Sequence, residues 1–86
     1  MAYRIELLPS AARQYRSLPR SIKARVRAAV DGLATEPRPT GARKLIGTPD
    51  YWRIRIADYR VLYKIRDRDV LVLIIAIGHR REVYRR

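Results

Sequence analysis

The chain has 86 residues, with 20 lysines and arginines against 8 acidic residues and a formal net charge of +12. It contains no cysteine, which excludes a disulfide framework, a thiolate metal site and a cysteine nucleophile, and which fits a reducing cytoplasm. No run approaches the roughly 20 apolar residues of a membrane span and the start lacks the apolar core of a signal peptide, so we expect one soluble domain, residues 1–86.

Arginine carries most of the charge, because only Lys23, Lys44 and Lys64 of the 20 cationic residues are lysines. A small domain this basic repels itself, and the usual compensation is a polyanionic or acidic partner. The planar guanidinium group suits phosphate and stacks on bases. The composition therefore favours a phosphate-bearing partner and leaves a merely solvated basic surface as the alternative.

The first half of the chain predicts one strand followed by two helices. Residues 3–8 alternate apolar and polar side chains and stop at a proline, which is typical of a short strand. A first helix is predicted over residues 9–18, between two prolines. The second helix, ending near Thr35, has an apolar stripe at helical spacing, formed by Ile22, Val26, Ala29, Val30 and Leu33.

The second half predicts a loop and then three strands. Residues 37–50 hold three prolines and two glycines and indicate a loop. Residues 51–57 and 59–66 alternate with period two, and residues 70–77 form a continuous apolar run, as in a strand inside a sheet. A polar tail follows Gly78. The order β-α-α-β-β-β predicts an α+β fold, with an antiparallel meander and a helical hairpin packed on one sheet face.

The two alternating strands place several arginines on one face of the predicted sheet. If Ala57 and Asp58 form a two-residue turn, Arg55 opposes Arg60 and Arg53 opposes Leu62, while the other face is apolar. Ala-Asp is not a preferred turn, so a longer loop would shift this pairing. Like charges that face each other across strands are destabilising, and cross-strand pairs in general change stability by about 0.2–1 kcal/mol. We hypothesise that this face binds phosphate; a solvated basic face is the alternative.

The chain resembles RelE-type toxins of the RelE/ParE superfamily, small bacterial proteins that are paired with an antitoxin. The resemblance lies in YRIELLPSAARQYRSLP at the start and in KLIGTPDYWRIRIADYRVLYKIRDRDVLVLIIAIGHRREVY in the second half. Its most specific parts are Lys44, Leu45 and Gly47, the run YRVLY, and the run IGHRREVY. The resemblance implies a RelE-like fold and a cytoplasmic toxin that enters the ribosomal A site and cuts the messenger there.

The resemblance also implies a reaction and its residues. In RelE-like members the RNA 2′-hydroxyl attacks the adjacent phosphate and leaves a 2′,3′-cyclic phosphate, with no metal and no cofactor. The implied catalytic residues are Arg53, Arg55, Arg60, Arg80 and Tyr84, and Lys44 and Arg81 are expected to contact RNA. The implied partners are the ribosome with its mRNA, and a cognate RelB-like antitoxin with an acidic toxin-binding segment; no membrane is implied.

The family usually has lysines where this chain has Arg53 and Arg55. Arginine stays protonated at any working pH, so neither residue is suited to act as a general base. Either catalysis is mainly electrostatic, or another residue takes the proton. His79 is the candidate for proton transfer, because histidine exchanges protons near neutral pH, and Glu82 is a second candidate.

Two other functions fit the same resemblance. A ParE-like toxin acts on DNA gyrase, although that class generally lacks the combined basic cluster and terminal tyrosine. A binding module whose nuclease activity has decayed would keep only its antitoxin-binding role, and the arginines at the usual lysine positions leave room for it.

Overall fold

A computed structural model of the chain describes residues 2–47 and 50–79. Two helices and five strands make up this described part. The strands are β1 (Arg4–Leu7), β2 (Arg43–Lys44), β3 (Tyr51–Ile56), β4 (Tyr59–Arg66) and β5 (Leu71–His79). The helices are α1 (Pro9–Arg16) and α2 (Arg20–Gly32), and a short 3-10 helix, Asp67–Asp69, joins β4 to β5. None of the helices in the described ranges is long and apolar enough to cross a membrane.

The strands form one sheet in the order β1-β5-β4-β3-β2. Strands β3, β4 and β5 make the predicted antiparallel meander. Strand β1 pairs in parallel with β5, so the sheet is mixed, and β5 lies inside it as its continuous apolar run predicts. The short strand β2 forms within the segment that was predicted as a loop, and it pairs antiparallel with β3.

Both helices pack on one face of this sheet. Helix α1 begins at Pro9, where the missing N–H costs nothing, and α2 begins directly after Pro19. Helix α2 ends at Gly32, earlier than predicted, because residues 33–35 turn toward β1. The core between helices and sheet consists of Ala11, Leu18, Val26, Val30, Leu33, Ile54, Ile56, Val61, Tyr63, Ile65, Val72, Ile74 and Ile77.

The hairpin between β3 and β4 has the predicted register. Its turn is Ala57 and Asp58, and Ala57 adopts a positive φ of 54°. Glycine ordinarily supplies this conformation, which accounts for the weak turn signal in the sequence. The pairs Ile56–Tyr59, Ile54–Val61 and Trp52–Tyr63 face the helices, whereas Arg55–Arg60 and Arg53–Leu62 face the other way.

The far end of β5 is supported by a side chain instead of a strand. Strand β1 stops at Leu7, opposite Ile74, and beyond that point the Ile77 N–H donates to Gln14 Oε1 at 2.8 Å. Residue Ile75 is an extra residue in the pairing with β4, a bulge. With this support β5 continues to His79, the last described residue, where the sequence predicted the start of a tail.

The segment before β2 is fixed to the sheet by polar contacts. The buried Tyr63 hydroxyl donates to the Pro37 carbonyl at 2.7 Å. The Asp67 carboxylate accepts hydrogen bonds from Arg38 at 2.9 Å and from the Tyr3 hydroxyl at 2.6 Å. Both hydrogen bonds lower the pKa of Asp67, and the hydrogen bond from Arg38 has the larger effect. The contacts hold the chain where it leads into β2.

Candidate functional site

The face of the sheet opposite the helices carries most of the candidate residues. We call it the arginine face, and no helix in the described ranges packs on it. Alternation along each strand directs one residue in two toward this face. Its side chains on the three strands at one side of the sheet are Arg43 of β2, Tyr51, Arg53 and Arg55 of β3, and Arg60, Leu62, Lys64 and Arg66 of β4.

Arg55 and Arg60 face each other beside the hairpin turn. Directly opposed residues in an antiparallel pair have Cα atoms about 4.5–5.5 Å apart, so the two guanidinium groups extend from neighbouring points. Arg55 is exposed and Arg60 is half-buried. On its other side Arg60 lies opposite Gly78 of β5, which contributes no side chain. The pair is the like-charged juxtaposition that the sequence predicted.

A second pair of facing arginines lies next to the first. Arg43 of β2 is directly opposite Arg53 of β3. A pocket of about 330 Å³ opens here, lined by Thr40, Gly41, Arg43, Arg53, Ile54 and Arg55. Arg43 was not predicted as a site residue, because it lies in a segment rich in proline and glycine in which no strand was predicted. The strongest available signal was its position directly before Lys44 in the family-like run KLIG.

Acidic side chains do not neutralise these arginines. In residues 2–47 and 50–79, Arg43, Arg53 and Arg55 take part in no ion pair or side-chain hydrogen bond. Other arginines in the same ranges are paired: Arg4 with Glu6, Arg27 with Asp31, Arg38 with Asp67, and Arg66 with Asp69. The charges of Arg43, Arg53 and Arg55 are thus available to an external anion.

The same face carries an aromatic ring one step further along the strands. Tyr51 is half-buried and lies opposite Lys64, whose Nζ is 5.5 Å from the centre of the tyrosine ring. Lysine over an aromatic ring is a favourable contact. Aromatic rings beside basic groups are also the usual platform for bases in single-stranded nucleic acid. The arrangement suits an RNA strand that runs along β3.

Two predicted residues lie away from the arginine face. Lys44 is opposite Trp52, so it lies on the helix-covered side of the sheet, at its edge. The expectation that Lys44 contacts RNA stays a prediction, and its neighbour Arg43 is the residue that faces the arginine side.

His79 is also on the helix-covered side. It lies opposite Tyr59, with the two ring centres 5.8 Å apart and nearly perpendicular. It lines a cavity of about 680 Å³ together with Arg13 and Gln14 of α1. The sheet separates this cavity from the Arg55–Arg60 pair, and the proton-transfer role of His79 stays a prediction. The predicted residues Arg80, Arg81, Glu82 and Tyr84 lie outside the described residues.

Metal ligands are not concentrated anywhere in the described part of the chain. No group of three or more histidine, aspartate or glutamate side chains there is placed to hold a metal ion. What the arginine face offers chemically is fixed positive charge and hydrogen-bond donors, which suit a phosphodiester whose charge grows during reaction.

Residues 5–84 match the family described as the ParE toxin of the type II toxin-antitoxin system parDE. Among similar proteins, the toxin RelG of Mycobacterium tuberculosis is 36% identical over 90 residues, covering 100% of both chains. The mRNA interferase toxin RelE of Escherichia coli (strain K12) is 31% identical over 88 residues, covering 98% of this chain and 92% of the relative.

Solved structures give the same likeness. The isolated RelE toxin of E. coli superposes with a TM-score of 0.83 at 29% identity, covering 96% of this chain and 92% of the other. The archaeal RelE-RelB complex of Pyrococcus horikoshii OT3 matches with a TM-score of 0.82 at 32% identity, covering 93% and 97%. The predicted α+β architecture is confirmed by these likenesses.

Proposed function

The chain belongs to the ParE toxin family of type II toxin-antitoxin systems and is a RelE-type toxin, and on this basis we propose that it is a ribosome-dependent endoribonuclease that cleaves messenger RNA in the A site. The observation that carries the proposal is the Arg55–Arg60 pair, two facing cations on a sheet face that no described helix covers. Like charges in direct opposition destabilise a strand pair, and a scissile phosphate between the guanidinium groups would offset their repulsion. An E. coli relative is named an mRNA interferase, which supports the same activity.

The proposed reaction begins with attack of the RNA 2′-hydroxyl oxygen on the adjacent phosphorus. The bond from phosphorus to the 5′-oxygen breaks, which leaves a 2′,3′-cyclic phosphate and a new 5′-hydroxyl. Negative charge develops on the non-bridging oxygens during this step, and guanidinium groups already fixed on β3 and β4 stabilise it without reorganising. We assign this role to Arg55 and Arg60, and propose Arg53, Arg80 and Tyr84 as further members of the site.

Proton transfer is where this chain departs from a general-base mechanism. On the arginine face, β2, β3 and β4 present no histidine and no carboxylate within the described residues. We therefore propose that catalysis is mainly electrostatic, with water taking the proton of the 2′-hydroxyl and supplying that of the leaving 5′-oxygen. General acid-base assistance is worth roughly 10²–10⁴ in rate, so we expect a slower enzyme than one that has a base.

The proposed partners are the ribosome with its mRNA and a RelB-like antitoxin in the bacterial cytoplasm. Several of the similar structures are complexes of RelE with RelB. An acidic antitoxin segment would compensate a net charge of +12. We propose no metal and no cofactor, because a cationic site of fixed guanidinium groups supplies the charge that a metal ion would.

One observation favours a second candidate function. The family whose description matches residues 5–84 is that of the ParE toxin, and a ParE-like protein acts on DNA gyrase. We rank this candidate below the nuclease, because the arginine face keeps a basic cluster that the gyrase-directed class generally lacks. A toxin fold that only binds its antitoxin remains as the third possibility.

Mapping messenger ends on translating ribosomes distinguishes the three candidate functions. We expect the wild-type protein to produce cuts phased with codons, and the double variant Arg55→Ala/Arg60→Ala to lose at least about 10²-fold in rate, as removal of a charge-stabilising donor does. Arg25→Ala is the matched control, since Arg25 is exposed on α2 on the other side of the sheet. Gyrase-dependent DNA breaks without RNA cuts would favour the second candidate, and neither activity would favour the third.

A further inference from the structure

Two pairs of facing arginines lie side by side on the arginine face. Arg55 faces Arg60, and Arg53 faces Arg43. Arg53 and Arg55 are two residues apart on β3, a rise of about 6.8 Å along the strand. This distance is comparable to one nucleotide step in an extended single strand. The two pairs are thus spaced to hold successive phosphates of one RNA chain.

The pocket beside the second pair is open because β2 is short. Strand β2 begins at Arg43, and Gly41, with a φ of 95°, turns the chain away before it could pair with Arg55. The Tyr51 carbonyl accepts the Leu45 N–H at 2.9 Å, so the backbone of alternate β3 residues is directed toward the β2 side. By the same alternation the backbone N–H of Arg55 is directed toward the open edge, where the 330 Å³ pocket lies.

The second pair has the same unexplained cost as the first. Arg43 and Arg53 are like charges in direct opposition, which destabilises a strand pair. Neither has an acidic partner among the described residues, although four other arginines there do. An anion in the pocket would receive hydrogen bonds from two guanidinium groups and from the backbone of β3.

We infer that Arg43 and Arg53 form a second phosphate subsite, which binds the phosphodiester next to the scissile one. This inference rests on the proposed function, because it takes the ligand to be the RNA that the Arg55–Arg60 pair cleaves. Arg43 is a binding residue in this account, since its phosphate does not react. It fixes which phosphate of the strand lies between Arg55 and Arg60.

The test measures binding separately from cleavage. The probe is a short RNA in which one 2′-deoxynucleotide prevents cleavage, and its Kd is measured at several salt concentrations. We expect Arg43→Ala to weaken binding about tenfold, as loss of a charge-assisted hydrogen bond does. We expect the slope of log K against log salt to fall by about 0.7, the value for one phosphate contact on a single strand. Arg25→Ala should change neither quantity.

A modified RNA locates the contact. A neutral methylphosphonate replaces the phosphate on the 5′ side or the 3′ side of the uncleavable position. On one side it should weaken wild-type binding about tenfold and weaken binding by Arg43→Ala clearly less, because the variant has already lost one of the two guanidinium contacts to that phosphate. Equal losses in wild type and variant at both sides, or unchanged binding by Arg43→Ala, would overturn the inference.

Two further readouts keep the inference distinct from the proposed function. On ribosome-bound mRNA, Arg43→Ala should raise KM and leave kcat nearly unchanged, since the contact is made equally in ground state and transition state. If the wild type binds RNA through Arg43 but makes no cuts, the proposed function is wrong and the subsite stands. Arg43→Lys, which keeps the charge, should recover most of the affinity; its failure to do so in a folded variant would contradict a phosphate contact.

Discussion

The two faces of the β3–β4 hairpin use alternate residues of the same strands for opposite purposes. On the covered face, Ile54, Val61 and Tyr63 are buried under the helices. On the arginine face, Arg53 and Arg55 project from the same strand without a described acidic partner. The period of a strand thus assigns burial and positive charge to different residues of the same hairpin. Substitutions one position apart should therefore separate the two properties.

The two faces also differ in how their polar groups are satisfied. On the covered side, the hydroxyl of Tyr63 and the N–H of Ile77 both have side-chain or backbone partners inside the protein. Buried polar groups without such partners would cost stability. On the arginine face, the guanidinium groups of Arg43, Arg53 and Arg55 have no ion-pair or side-chain hydrogen-bond partner among the described residues. A closed face and an open face of one sheet thus follow from the same alternation.

The largest expected effect on folding comes from the covered face of β5. Ile74 is fully buried, while its neighbour Leu73 is half-buried on the arginine face opposite Lys64. We expect Ile74→Ala to lower the free energy of unfolding by about 2–5 kcal/mol, because it leaves a cavity in the core. Leu73→Ala should cost clearly less. Urea unfolding of both variants measures the difference, and equal losses would contradict the division between the faces.

A smaller effect is expected at the hydroxyl of Tyr63. Tyr63→Phe removes its hydrogen bond and leaves the Pro37 carbonyl without that donor, at a cost of about 1 kcal/mol. Burial raises the pKa of Tyr63 to about 12 from 10.0, so the native state holds this proton more tightly than the unfolded state. Its contribution is therefore fully present below pH 10 and is lost as the pH rises toward 12.

The pH dependence of unfolding checks this assignment. Between pH 10 and 12 the wild-type protein should lose stability, and Tyr63→Phe should lose less over the same interval, since it has no proton to release there. A variant that follows the wild-type curve throughout would show that the buried hydroxyl does not titrate as its surroundings require.

Much of the hairpin could be predicted from the sequence, because period-two alternation fixes the face of every residue once the turn is placed. This alternation correctly predicted that Arg53, Arg55 and Arg60 lie on one face of the sheet. Neither the parallel pairing of β1 with β5 nor β2 could be predicted, since their partners are distant in the chain and β2 has only two residues. Arg43 was missed for this reason.

The positions of two candidate residues near the ends of strands also have physical causes. His79 was expected beside the basic cluster, but Gln14 of α1 supports the end of β5, so the strand continues and alternation carries His79 to the covered face. Lys44 was assigned by resemblance alone, which gives a residue and not the face on which it lies. Face assignment needed the pairing of β2 with β3.

The central claim is that the Arg55–Arg60 pair binds phosphate and, without it, destabilises the strand pair. The most direct measurement is the melting temperature of the wild type and of Arg55→Ala/Arg60→Ala, each with and without an uncleavable RNA, with Arg25→Ala as control. We expect the double variant to melt at the same or a higher temperature, since a like-charged pair worth about 0.2–1 kcal/mol is removed, and to lose the stabilisation by RNA. A clear loss of intrinsic stability, or RNA stabilisation equal to that of the wild type, would contradict the claim.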